Sequence, residues 1–285
     1  MRIAGAPISW GVCEVPGWGL QLPSDRVLDE LRGLGLAATE AGPPGFLPAD
    51  PGEARAALER RGLRLVGGFV TAVLHVPHRL QEQLQQMASQ ARWLAEAGGE
   101  VMVLAAAASG DGYDARTQLQ AREWTLLFEA LATTRDLAAR SGLRLAVHPH
   151  FGTAIETADD IKRLLAGCDA PLCLDTGHAA LGGADPAELA ADHGDRVAHV
   201  HLKDVDPALA EPVRTRAIAY AEGVRRGLYR PLGRGSARIA DVLASLRSRG
   251  YDGWFVLEQD VALDRASADP IGDIRESLEF ARAHA

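Results

Sequence analysis

Cysteine is scarce: Cys13, Cys168 and Cys173 are the only three in 285 residues. An odd number with no C-x-x-C pair argues against structural disulfides and against a thiolate zinc site. Long apolar runs are absent too. None approaches the ~20 residues of a membrane span, and the start, Met1-Arg-Ile-Ala-Gly-Ala-Pro7, lacks the ~7–15-residue apolar stretch of a signal peptide. A cytoplasmic location with no membrane partner is expected. Basic charge is in deficit, with 30 Lys and Arg against 38 Asp and Glu and a formal net charge of -8. Such a chain has no general attraction to nucleic acid. No G-x-G-x-x-G follows the first strand-like run, so a dinucleotide-binding sheet has no support. No Pro/Ser/Gly-rich linker divides two compositions, and residues 1–285 are expected to form a single domain.

What is present is an alternation of strand-like and helix-like segments, in a chain that is 47% hydrophobic and 24% charged. Strands are expected at about 2–6, 36–40, 63–70, 101–105, 144–148, 171–175, 197–201 and 254–258, where short apolar runs read as buried strands. Helices are expected at about 25–34 with Ser24 as N-cap, 52–61, 79–97, 117–140, 157–166, 186–192, 238–249 and from 270 onward. Gly62, Gly142 and Gly250 stand where helices should stop. Eight β–α units predict an α/β fold, a (β/α)8 TIM barrel, for which ~250 residues is typical. A doubly wound open sheet, the main competitor, needs fewer strands. The longest connection, 205–235, carries a helical piece at about 212–226 and is a candidate lid over the active face.

The last four strand runs each close on a metal-binding type of residue: Leu145-Ala-Val-His148, Pro171-Leu-Cys-Leu-Asp175, Val197-Ala-His-Val-His201 and Trp254-Phe-Val-Leu-Glu258. One such residue alone reads as a hydrogen-bonded structural group. Four in succession predict a shared site, because the C-terminal ends of barrel strands face one another. His148, Asp175, His201 and Glu258 are the candidate ligands of a divalent ion, with His150 sharing the strand-five position through side-chain alternation. The mixed N/O set suits Mn2+ first, with Co2+, Mg2+ or Zn2+ as alternatives. His150, His178 and Lys203 are the candidate catalytic groups: two imidazoles for acid–base work, and an ammonium for a substrate oxygen or an enolate. Lys203 could instead pair with Asp204 or Asp206. Trp10, Glu40 and Asp204 are the candidate substrate contacts. Core packing is the competing role for Trp10, and a salt bridge to arginine the competing role for Glu40.

Taken together, these residues resemble the xylose isomerase-like barrel superfamily of sugar isomerases and epimerases, and within it the inosose dehydratase branch. The likeness is carried by His148-Pro-His150-Phe-Gly-Thr153, Asp175-Thr-Gly-His178, His199-Val-His-Leu-Lys-Asp204, Pro231-Leu-Gly-Arg-Gly235, Gly250-Tyr-Asp-Gly-Trp-Phe-Val-Leu-Glu-Gln-Asp260 and Thr39-Glu40-Ala-Gly-Pro43. It spans essentially the whole chain. Two departures stand out. His148 occupies a position where many relatives carry Glu, and Ile8-Ser-Trp-Gly-Val-Cys-Glu14 lacks the Asn-Asp pair of that branch. The resemblance implies a metal-dependent lyase that dehydrates a keto-cyclitol (scyllo-inosose, 2-keto-myo-inositol) through an enediolate. The alternative is a ketose isomerase or epimerase using the same ligands. The expected partner is a small polyhydroxy ketone or cyclitol, and a homo-oligomer is compatible with the sequence. A DNA-repair endonuclease shares the superfamily, but the acidic charge opposes it. A non-catalytic sugar-binding barrel would not be expected to keep the full ligand set.

Overall fold

A computed structural model of the chain describes residues 1–108, 112–264 and 269–285. Nine parallel strand segments form one sheet that curls into a barrel. In chain order they are Arg2–Gly5, Ala38–Thr39, Arg64–Leu65, Gly67–Ala72, Val101–Ala106, Arg144–Val147, Leu172–Asp175, Val197–Leu202 and Trp254–Leu257. The third and fourth are one barrel strand divided at Val66. Arg64–Leu65 pairs with strand two and Gly67–Ala72 with the Val101–Ala106 strand. Val66 bridges both sides, donating its N–H to Thr39 O (2.9 Å) and accepting from the Val101 N–H (3.1 Å). The segments therefore count as eight strands, and the predicted barrel is the observed one.

The strands read as near-continuous apolar runs because both faces are covered. Leu145, Val147, Leu172, Leu174, Val200, Leu202, Phe255 and Leu257 pack outward into the layer shared with the helices. The inward residues are small: Ala4, Ala38, Val66 and Val256 form one cluster, and Val101, Val103, Ala146, Cys173 and Ala198 another. Side chains alternate along a strand. The next inward layer toward the C-terminal ends therefore falls on Glu40, His148, Asp175 and Glu258, and a register shift beside Ala198 brings His201 into it.

Several boundaries differ from expectation. The first α-helix is Ser24–Gly33, its N-cap position is Pro23, and Ser24 makes no capping bond. The helix expected from 117 starts at Ala121, where the Glu123 carboxylate accepts the Gln120 N–H at 2.7 Å. The helical piece in the long connection is two helices, Pro207–Arg214 and Tyr220–Arg225, broken where Arg216 adopts φ 58°. That connection is held at its base by an antiparallel pairing of Asp204–Val205 with Tyr229–Arg230. A short helix, Thr176–Leu181, follows strand six directly. Among the described residues no helix is long and apolar enough to cross a membrane.

Candidate active site

Register brings the ligand-type residues together. Asp175 pairs with His201 across strands six and seven, and Val256 pairs with His201 across strands seven and eight. A register shift at Leu172/Cys173 places Cys173 opposite His199 and Asp175 opposite His201. Bulges of this kind re-aim side chains beside functional sites. Asp175, His201 and Glu258 offer ligand atoms within 4.8 Å of one another, as do His148, His150 and His178. His148 joins the two groups, with Nε2 3.7 Å from Asp175 Oδ2.

The motif Asp175-Thr-Gly-His178 can be read atom by atom. Asp175 Oδ1 accepts the His178 N–H at 2.7 Å and caps the short helix, leaving Oδ2 for the barrel centre. The Thr176 hydroxyl donates to Lys203 O (2.7 Å) and accepts the Lys203 N–H (2.8 Å), latching strand six to strand seven. Gly177 lets the lysine stem pass: a Cβ there would lie 2.5 Å from Lys203 Cγ. His178 lies beneath His150, their ring centroids 3.8 Å apart.

Lys203 is fully buried, with Nζ 2.6 Å from Glu258 Oε1, 2.7 Å from Asp260 Oδ1 and 3.6 Å from Asp175 Oδ2. Burial acts to lower its pKa, but Asp175, Asp260 and Glu258 hold it well above the usual lysine range. Burial pushes the Glu258 carboxyl up to about 7, with Asp175 and Asp260 adding and His201 and Lys203 opposing. Burial is also the leading cause that holds His148 and His178 well below the ordinary imidazole range and lowers His150. His201 goes the other way. Burial lowers it, but Cys173, Glu258 and Glu40 act in the opposite sense and hold it well above the ordinary imidazole range.

Among the buried atoms of this cluster without a hydrogen-bond partner are His148 Nε2, Asp175 Oδ2 and His201 Nδ1. His148 Nδ1 lies 2.8 Å from the Pro149 carbonyl, which can only accept. The proton is assigned to Nδ1, so a lone pair on Nε2 faces a carboxylate oxygen. His201 Nε2 lies 3.1 Å from Glu40 Oε1, while its Nδ1 faces Asp175 Oδ2 (3.4 Å) and Glu258 Oε2 (3.0 Å). Lone pairs converging in a buried site repel unless a cation sits among them. The donors present therefore fit a divalent ion.

A cavity of about 270 Å³ opens above this layer. His148, His150, His201, Glu40 and Glu258 line it. Asp175, His178 and Lys203 are buried and do not line it. Glu40 touches the cavity, but its Oε1 faces His199 Nε2 at 2.8 Å as well as His201. Burial acts to raise its pKa, yet the two imidazoles hold it below the usual carboxylate range.

Two expected substrate contacts lie elsewhere. Trp10 is fully buried in the helix–strand layer, and its indole N–H donates to Glu30 Oε2 at 2.8 Å. Asp204 is saturated by backbone donors: Val205 and Ala237 on Oδ1 (3.0 and 2.9 Å), Gly233 and Gly235 on Oδ2 (2.9 and 3.0 Å). Its work is to fold the Pro231–Gly235 turn. Lys203 pairs with Glu258 and Asp260, at the end of the neighbouring strand, rather than with Asp204 or Asp206. Sequence reasoning missed Asp260, Tyr220 and Tyr113, which line the cavity. The Tyr220 hydroxyl donates to Asp260 Oδ2 at 2.7 Å, and that of Tyr113 to Glu14 Oε1 at 2.9 Å. The Glu258-Gln-Asp260 spacing could have flagged Asp260. Nothing in the sequence singles out the tyrosines.

A family model described as xylose isomerase-like TIM barrel matches residues 28–284. The chain belongs to this family. It is 34% identical to an inosose dehydratase of Geobacillus kaustophilus, over 98% of this chain and 93% of that one. It is 30% identical to the rhizopine catabolism protein MocC of Rhizobium meliloti, over 91% and 82%. Among solved structures it superposes on an L-ribulose 3-epimerase with a TM-score of 0.73 at 16% identity, covering 99% and 94% of the two chains. The identity to the inosose dehydratase over nearly the whole chain makes this protein an enzyme, and the superposition on the epimerase shows the shared fold.

Proposed function

We propose that this protein is a divalent-metal-dependent hydro-lyase that dehydrates a keto-cyclitol, scyllo-inosose (2-keto-myo-inositol), in the cytoplasm. The observation that carries the reading is the convergence of three unpartnered buried atoms, on His148, Asp175 and His201, beneath a cavity edged by Glu258. The likeness to the Geobacillus kaustophilus inosose dehydratase supports the substrate.

His148 Nε2, Asp175 Oδ2, His201 Nδ1 and Glu258 would hold the ion, with Mn2+ the first choice for this N/O set. A divalent ion there supplies Lewis-acid polarisation of a carbonyl beside a hydroxyl. The rest is the work of the chain. Glu40 fixes His201 with Nδ1 inward, as an outer partner fixes a ligating histidine. Lys203 pins Glu258 and Asp260 in place. His150 Nδ1 lies 2.7 Å from Phe151 O, so Nε2 is left as the acceptor. Burial keeps that ring neutral. It is the base that takes the α-proton. Tyr113 and Tyr220 keep their phenolic protons, burial being the leading cause in both, and a phenol on the cavity wall supplies the proton with which the β-hydroxyl leaves as water.

The test is direct. Protein loaded with Mn2+ and given scyllo-inosose should produce a dione absorbing in the ultraviolet, and chelated protein should not. Absence of the dione, together with interconversion of ketoses, would replace the lyase by an isomerase or epimerase on the same ligands.

A further inference from the structure

A second cavity of about 360 Å³ lies beside the catalytic one, between the loop after strand two and the helix Pro77–Glu96. Gly42, Pro43, Pro44, Phe69 and Gln90 line both cavities, so the two meet along a common wall. Phe69 is the inner edge of that wall, its ring 5.9 Å from the His148 ring and 5.7 Å from the His150 ring.

The chemistry of the two spaces is opposite. The catalytic cavity presents Glu14, Glu40, Glu258, Asp260 and three imidazoles. Among the described residues the second presents no charged side chain at all. Leu47, Val70 and Leu94 are buried in its floor, and Trp93 stands at its side. The Trp93 indole N–H is already taken by Ala49 O at 2.8 Å, which leaves the ring as an apolar surface held in place. Gly42 at φ 67° and Gly45 at φ 90° bend a loop otherwise stiffened by Pro43, Pro44 and Pro48, so the groove is formed in advance. At Gly68 a Cβ would lie 2.8 Å from Leu94 Cδ2 and 3.1 Å from Ala41 Cβ; the absent side chain lets the loop and helix close over the floor.

An unsubstituted cyclitol carries a hydroxyl on nearly every carbon and has nothing to place in such a groove. We infer that the groove is a second subsite for an apolar substituent, alkyl or aryl, O-linked to the ring that the catalytic cavity holds. The substrate class is then an O-substituted keto-cyclitol or keto-sugar, with scyllo-inosose the minimal ring. This deepens the proposed function and rests on it for the identity of the ring, but the apolar subsite is measured without turnover.

The experiment compares binding of phenyl β-D-glucopyranoside and of glucose to the intact protein by saturation-transfer NMR. The phenyl glycoside is expected to bind roughly tenfold tighter, the return on burying part of one aromatic ring. Saturation should reach the phenyl protons. Ser89→Phe, an exposed helical position on the groove, should fill it and erase the difference, and Trp93→Ala should reduce it. Equal affinities in the parent protein, or a difference that Ser89→Phe leaves unchanged, would overturn the subsite. So would sedimentation showing a dimer that Ser89→Phe dissociates, because a second copy would then be the occupant. Dione formation from scyllo-inosose is measured separately. Its failure would overturn the lyase reading while leaving the apolar preference standing or falling on the NMR result.

Discussion

Strands one to four bring Ala6, Glu40, Phe69 and Thr71 to the catalytic cavity, whereas strands five to eight bring His148, His201 and Glu258, with Asp175 just beneath. Both halves belong to one parallel sheet whose strands alternate inward and outward residues, apart from the break at Val66 and the register shift at Leu172/Cys173. The main difference lies in which residue types occupy the last inward position. In the first half that position is mostly small or apolar, and the same half builds the uncharged groove. In the second half it is ionisable, and the carboxylates crowd around Lys203. The backbone thus supplies comparable positions, and side-chain identity makes one half largely uncharged and the other ionisable.

The sharpest way to break this division is to remove a charge from the second half without disturbing its backbone. Asp175→Asn keeps the helix cap, since Asn caps as well as Asp. It should nonetheless lower turnover by ~10³-fold or more and abolish stoichiometric metal binding, as measured by dione formation and metal analysis. Metal retained at full stoichiometry would remove Asp175 from the ligand set. Next in size is Lys203→Met, which leaves Glu258, Asp260 and Asp175 facing one another. A loss of about 3–5 kcal/mol in urea unfolding is expected, the usual consequence of leaving buried charge unpaired. Glu40→Gln, at the one ionisable residue among those that strands one to four bring to the cavity, should keep the fold and weaken metal affinity about 10–100-fold, read by competition with a chelator. Smallest is Trp10→Phe, which lies outside the cavity. Losing the bond to Glu30 should cost about 1 kcal/mol of stability, with kcat/KM unchanged. A large kinetic effect would return Trp10 to the site.

The barrel was legible because its signals are local: apolar runs of strand length, glycines at helix ends, and an even alternation. The meeting of His148, Asp175, His201 and Glu258 was legible for the same reason, since each closes a run. Legibility failed where a role depends on partners distant in sequence. Trp10 and Asp204 looked exposed to substrate in one dimension. In three dimensions their polar atoms are used by Glu30 and by four backbone amides. Tyr220 reaches Asp260 across 40 positions from a helix that the sequence merged with its neighbour. Lys203 was visible as a candidate catalytic ammonium, but its ion-pair partners were looked for at Asp204 and Asp206. Its carboxylate partners come from strands six and eight, and Gly177 makes room for its stem.

Amino groups are rare in this protein, whose basic charge is almost wholly arginine: Lys162 and Lys203 are the only lysines. Lys162 is exposed on the helix Ala158–Gly167, outside the barrel, and Lys203 is sealed beneath the cavity. Amine-directed coupling of the folded protein therefore meets Lys162 and the terminal amine alone. A dye or a solid support can be attached there while the reacting centre stays chemically untouched, and labelling of Lys203 becomes a marker of unfolding.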